Sequence, residues 1–136
     1  MAKRIEASFD AYSDDTHSYL ADVIDSEHGV DFSLRPNQLF ATGCAHQPVK
    51  GERAAKVLAA CEQSLLTPVG LRTLPPDDSR YQGHYRGTQA QRDSAYHMGT
   101  SWPWLLGPYI RTHLNVHADT TSARKILAPF VQEIVR

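Results

Sequence analysis

The segment LLTPVGLRTLPPDDSRYQGHYRGTQAQRDSAYHMGTSWPWLLGPY, Leu65 to Tyr109, has a composition that packing alone does not explain. Five glycines (Gly70, Gly83, Gly87, Gly99, Gly107) and five prolines (Pro68, Pro75, Pro76, Pro103, Pro108) interrupt every periodic pattern in it, so much of it reads as loop. Loops of this length are functional or disordered. Disorder fits poorly, because Tyr81, Tyr85, Tyr96, Trp102, Trp104 and Tyr109 supply large ring surfaces that a solvated linker lacks. Set among the rings are Arg72, Asp77, Asp78, Arg80, Arg86, Arg92, Asp93, His84 and His97. Bidentate donors and acceptors interleaved with rings suit a neutral, many-hydroxyl ligand such as a sugar, whose C–H faces stack while its hydroxyls take directional hydrogen bonds.

Around this loop the helical signals are plain. Gly51 to Leu66 carries Ala54, Val57, Leu58, Cys61 and Leu65 at i, i+3, i+4, i+7 and i+11, one apolar face. Cys61 on that face reads as core rather than nucleophile, and Thr67 and Pro68 release the chain into the loop. Ile5, Phe9 and Tyr12 mark a face of a first helix over about 2–12. Ser13 to Leu34 is acidic and poor in periodicity, and reads as connection. Arg35 to Thr42 opens with Pro36 at a first helical position and closes on Gly43 as a cap, giving a short helix over about 36–42. Asn37 and Gln38 at its start could reach a sugar hydroxyl; the plainer reading is that Arg35 and Asn37 tie down adjacent loops. Ser101 reads as the N-cap of a helix to about 117, with a Pro108 kink unless the first turn is separate. Ala123, Ile126, Leu127, Phe130, Val131 and Ile134 give a last helix over about 120–135, kinked at Pro129. These last two helices show more apolar surface than this sequence alone covers, so they pack on each other or on another chain.

RPNQLFA (Arg35 to Ala41), LLTPVGLRTLPPDD (Leu65 to Asp78), YQGHYRG (Tyr81 to Gly87) and RDSAYHMGTSWPWLLGPY (Arg92 to Tyr109) resemble, in this order, the C-terminal amylo-alpha-1,6-glucosidase region of bacterial and archaeal glycogen debranching enzymes. The resemblance spans about Ser8 to Phe130. It implies an all-α fold, part of a six-hairpin α/α toroid, with the 67–100 loop at a sugar-binding mouth. Its implied activity is α-1,6-glucosidase hydrolysis of α-glucan branch points in glycogen catabolism, with α-glucan or maltooligosaccharide as ligand and no cofactor. At roughly 11 to 12 residues per helix plus connections, a full ring needs more than twice these 136 residues, so the chain reads as a single partial domain.

Inverting hydrolysis needs two carboxyl groups about 6.5 to 9.5 Å apart. The resemblance places the general acid upstream of anything matching Met1 onward and the base beyond the helix ending near Arg136, so no catalytic residue is carried onto this sequence. Asp93 then reads as an acceptor for sugar hydroxyls or as an ion-pair partner of Arg92. His97 with His84 and Asp93 gives only a weak metal pattern, lacking a second close histidine or cysteine, and no metal is expected. The family's usual Gln is Met98 here. Trp102 and Trp104, two residues apart, cannot share a helical face, so Trp102 is expected at the mouth with Tyr96 and Trp104 in the core, while Tyr81 and Tyr85 only pack the loop. The candidate substrate-binding set is Asn37, Gln38, Arg92, Asp93, Tyr96, His97 and Trp102.

A net charge of −1 and a pI near 6.6 give no electrostatic case for nucleic acid or an anionic membrane. No apolar run approaches a membrane span, and the start lacks a signal-peptide core. A cytoplasmic chain with Cys44 and Cys61 as free thiols is expected. Three readings stay open: an α-1,6-glucosidase-type fragment lacking both carboxylates, a non-catalytic α-glucan-binding or assembly fragment that works with a companion polypeptide or by self-association, and a non-functional truncated remnant.

Overall fold

The computed structural model describes residues 2–135. Helix α1 (Ala2–Ser8) tightens into a 3-10 turn at Phe9–Tyr12, followed by the acidic connection, whose one β-bridge joins Val23 and Asp31. Then come α2 (Gln38–Gly43), α3 (Gly51–Ser64), α4 (Gln89–Ala95), α5 (Leu106–His117) and α6 (Thr120–Val135). The fold is helix-rich but not all-α. Two short strands, β1 (Leu66–Thr67) and β2 (Gly70–Arg72), form a hairpin that β3 (Ser101–Trp102) extends, all antiparallel in the order β1-β2-β3. Ser101 and Trp102, expected to start a helix, instead pair with Arg72 and Leu71. The physical reason is proline: Pro103 belongs at the start of a helical turn, and the residue before it is driven to extended backbone, as Trp102 is (φ −117°, ψ 122°).

The core forms where α2, α3 and α5 meet. Val57, Leu58, Cys61 and Leu65 on the apolar face of α3 are buried with Leu39, Val49, Leu71, Leu105 and Tyr109. Burial pushes the Cys61 thiol up to about 12, which makes it inert as a nucleophile; Cys44 is exposed, and both thiols are free. Gly43 is the last residue of α2 rather than a left-handed cap. Its missing side chain permits close approach to α5, since a Cβ there would stand 2.8 Å from the Pro108 carbonyl oxygen. The same contact is closed by polar groups: the Thr42 and Thr112 hydroxyls lie 2.8 Å apart, and Asn115 Nδ2 donates to the Thr42 carbonyl at 2.9 Å. Pro108 falls in the first turn of α5, after a separate 3-10 turn at Pro103–Leu105, where it displaces no intrahelical bond.

Helix α6 spends its apolar rhythm unevenly. Ala123 is buried and Ile126, Leu127 and Phe130 half-buried, whereas Val131 and Val135 are exposed; the side chain of Ile134 lies outside the described residues. Trp104, expected in the core, is 60 % exposed and lies over Phe40 with ring centroids 6.2 Å apart. The 3-10 turn turns its indole outward and buries Leu105 in its place. Among the described residues no helix is long and apolar enough to cross a membrane.

Candidate functional site

The small sheet and the short helix α4 bring three rings together. Register pairs Trp102 with Leu71, anchoring one edge of the indole against the core. Helix α4 opens on a capping box, in which Gln91 N–H bonds Thr88 Oγ1 and Thr88 N–H bonds Gln91 Oε1 at 2.8 Å. It ends at Ala95, leaving Tyr96 beside Trp102. The Tyr96 and Trp102 ring centroids are 4.6 Å apart, Tyr85 stands 5.8 and 5.6 Å from the two, and His97 lies 4.7 Å from Tyr96. Trp102 Nε1 donates to the Tyr96 carbonyl at 3.0 Å, which fixes the indole without using its face. Tyr85 and Tyr96 remain about two-fifths exposed. Tyr85 was expected only to pack the loop; it is instead the third ring of the cluster, a contact that crosses α4 and has no trace in sequence spacing.

Arg35 ties down the main chain beside this cluster from 62 residues away in sequence. Its Nη1 donates to the His97 carbonyl at 2.5 Å and the Thr73 carbonyl at 3.1 Å, Nη2 meets Met98 Sδ at 3.7 Å, and Nε faces Asp22 Oδ2 at 3.5 Å. A guanidinium, planar and permanently charged, suits this three-way task better than any other side chain. Below it, Arg80 donates to both Asp78 oxygens and to Ser33 Oγ. Hydrogen bonding from Arg80 holds the Asp78 carboxyl down at about 2. Hydrogen bonds from Ser33 likewise hold the Asp31 carboxyl low. Gly99, at φ +134°, leaves the room that the Tyr81 ring occupies.

The other candidates sit as follows. Asp93 is exposed, one turn before His97. Arg92 does not pair with it, donating instead to the Gly87 carbonyl at 2.5 Å. Asn37 and Gln38 lie apart from the rings, on a cavity of about 210 Å³ that also touches Phe9, Tyr12, Asp22 and Arg35. Gln38 is buried with both amide atoms engaged, Oε1 accepting from Leu20 N–H and Nε2 donating to the Arg35 carbonyl. Asn37 Nδ2 donates to Asp22 Oδ1 at 2.8 Å. Among the described residues, no group of three His, Cys, Asp or Glu side chains is placed to hold a metal ion.

The family model described as amylo-alpha-1,6-glucosidase matches residues 1–135. The chain belongs to the amylo-alpha-1,6-glucosidase family. It is also similar to the glycogen debranching enzyme of Saccharomyces cerevisiae (strain ATCC 204508 / S288c), with 34% identity over 97 residues, which covers 67% of this chain and 6% of that protein. The chain thus spans a small fraction of the relative's length.

Proposed function

We propose that this chain supplies the α-glucan-facing part of a debranching-type α-1,6-glucosidase domain, within a six-hairpin α/α toroid of the bacterial and archaeal type. By itself it binds α-glucan without cleaving it. The observation that carries the reading is the cluster of Tyr85, Tyr96 and Trp102, in which a main-chain bond fixes the partly buried indole by its Nε1 edge and the two tyrosines stay about two-fifths exposed. Rings preset by the fold lose little conformational freedom when a sugar stacks on them. His97 and Asp93 offer hydroxyl partners beside the rings, Arg92 shapes the rim through Gly87, and Asn37 contributes from the neighbouring cavity while Gln38 positions its wall.

Cleavage asks for two carboxyl groups about 6.5 to 9.5 Å apart across the scissile bond. The reading gives Asp93 a binding role and leaves the catalytic pair outside these residues. Work on cytoplasmic glycogen follows from the same proposal. Two measurements test it on the purified chain: electrophoretic retardation in a glycogen-containing gel, expected for the native chain and lost in Trp102→Ala, and glucose release from a phosphorylase limit dextrin, expected to be nil. Unretarded migration overturns binding, and released glucose overturns the inactive state.

A second reading, assembly with a companion polypeptide or by self-association, is favoured by a separate observation. A groove of about 450 Å³ between α5 and α6 is walled by Trp104, Leu106, Ile110, Leu127 and Phe130 and open to solvent. Exposed apolar surface of this kind marks interaction sites. Sedimentation of the pure chain tests self-association, and a concentration-independent monomer argues against it.

A further inference from the structure

The groove between α5 and α6 is apolar along its floor and charged along its lips. Its α5 wall is Leu106, Ile110 and Leu114, and its α6 wall is Leu127 and Phe130. The three α5 residues recur at every fourth position, so they form one ridge about 12 Å long at 1.5 Å rise per residue. Trp104 adds to the lining and carries the apolar surface on to Phe40, half exposed beside it. On α6 the flank that holds Leu127 continues one turn later into exposed Val131.

The charge on the lips is of one sign. Arg111 lines the groove on α5, and Arg124, three residues before Leu127, shares the flank of Leu127 and Val131 on α6. Both are exposed, and among the described residues neither has a hydrogen bond or ion pair. The neighbouring Lys125 is exposed and unpaired in the same way. The hairpin's two carboxylates stand elsewhere. Asp119 is engaged in capping α6, accepting from the Thr121 and Ser122 N–H groups. Glu133, about two and a half turns beyond Arg124, lies on the opposite side of the helix.

These features select among occupants. Helical walls bond their own backbone, so an added β-strand finds no edge to extend. A small ligand would lie largely uncovered in an open groove, whereas ligand pockets cover most of what they hold. The surface is concave, and three cations in a chain of net charge −1 fall short of the four to eight clustered basic residues that read an anionic membrane. A second copy that brought its own α6 to the groove would set Arg111, Arg124 and Lys125 of both copies together, like charge against like. The acidic connection of a second copy does not suit either, because it is irregular rather than helical. A third helix laid between two helices is the packing that fits the shape, and carboxylates are what its lips lack.

We propose that the α5–α6 groove docks an amphipathic helix of a companion polypeptide, with an apolar ridge seated between Ile110 and Leu127 and Asp or Glu side chains on its flanks facing Arg111 and Arg124. The proposal rests on the assembly reading and narrows it to a partner other than a second copy.

Two fluorescein-labelled peptides, each longer than ~15 residues so that a helix can form, share one leucine ridge and carry either glutamate or lysine on both flanks. They are titrated against the intact chain by fluorescence anisotropy, with sedimentation of the chain alone and flotation with phosphatidylserine vesicles alongside. The glutamate peptide is expected to bind about tenfold tighter than the lysine peptide, to a monomer that vesicles do not retain. Arg111→Glu combined with Arg124→Glu changes two exposed, unpaired positions and leaves the circular dichroism spectrum as it was; it reverses the order of the two peptides. Equal affinity for both peptides, or a preference that the double variant keeps, overturns the acidic partner and leaves the groove as an assembly surface. A concentration-dependent dimer assigns the groove to a second copy, and retention on vesicles with silence toward both peptides assigns it to a membrane; either overturns the proposal. A monomer that binds neither peptide nor vesicle overturns the proposal and the assembly reading together.

Discussion

The junction of α2, α3 and α5 and the segment from Thr73 to Trp102 are ordered by opposite means. The first is apolar: Leu39, Val57, Leu58, Leu65 and Tyr109 are shut away from water, and polar groups appear only where helices touch, as at Thr42 and Thr112. The second buries little besides Thr73, Leu74, Pro75, Ala95, Gly99 and Thr100 and is held by side chains that donate to main-chain carbonyls, from Arg35, Arg92 and Trp102. A region fixed by polar edges keeps its ring faces available, and a region fixed by its rings does not. That difference is what allows a loop to be rigid and still open to a ligand.

The contrast breaks most severely in the core. Leu58→Ala removes a fully buried side chain and is expected to lower unfolding free energy by about 2 to 5 kcal/mol in urea denaturation, with maltooligosaccharide affinity unchanged while the chain is folded. Arg35→Ala comes next. Losing hydrogen bonds made by a charged, mostly buried group costs roughly 1.5 to 3 kcal/mol; the expected signature is faster limited proteolysis between residues 79 and 97, with little change in protection of α3. Equal loosening of α3 would show that the two regions are one cooperative unit.

Smaller effects sharpen the same boundary. Gly43→Ala forces a Cβ toward the Pro108 carbonyl; overpacking costs about 1 to 3 kcal/mol, against about 1 kcal/mol of improved helix propensity, so a net loss of about 1 kcal/mol is expected, read as a lower melting temperature. Asp78→Asn acts least. The Asp78 carboxyl titrates at about 2 when folded and near 3.9 when unfolded. Its contribution is therefore complete above pH 4 and disappears as pH falls through about 2. The variant should be less stable than the native chain by at most about 1 kcal/mol near neutrality, with the two acid-unfolding curves converging toward pH 2.

Helices were legible in the sequence where a single face is buried. The spacing of Ala54, Val57, Leu58 and Cys61 defines α3 because all four meet the core, and α6 shows the same rhythm although only one side of it finds a partner. The sheet was not legible, because strands of two and three residues are too short to show alternation. Helix α4 did carry a signal: Thr88 and Gln91 form the Thr-x-x-Gln capping pattern, masked by the glycines around it. Of the ring cluster, Tyr96 and Trp102 were readable as a pair from their neighbourhood, while Tyr85 joins through a long-range contact. The two tryptophans were separable by spacing, but spacing does not say which one turns inward, and the 3-10 turn after Trp102 decided it. Arg35 was weighed only as a local tie. Its reach across 62 residues to His97 leaves no periodic mark.

The central claim, that the open faces of Trp102 and its neighbours meet α-glucan, is tested most directly by fluorescence of Trp104→Phe, in which Trp102 is the remaining indole. Titration with maltooligosaccharide should change its emission saturably at millimolar sugar, and Tyr96→Ala should weaken the response. Emission that stays constant across the titration would contradict the account.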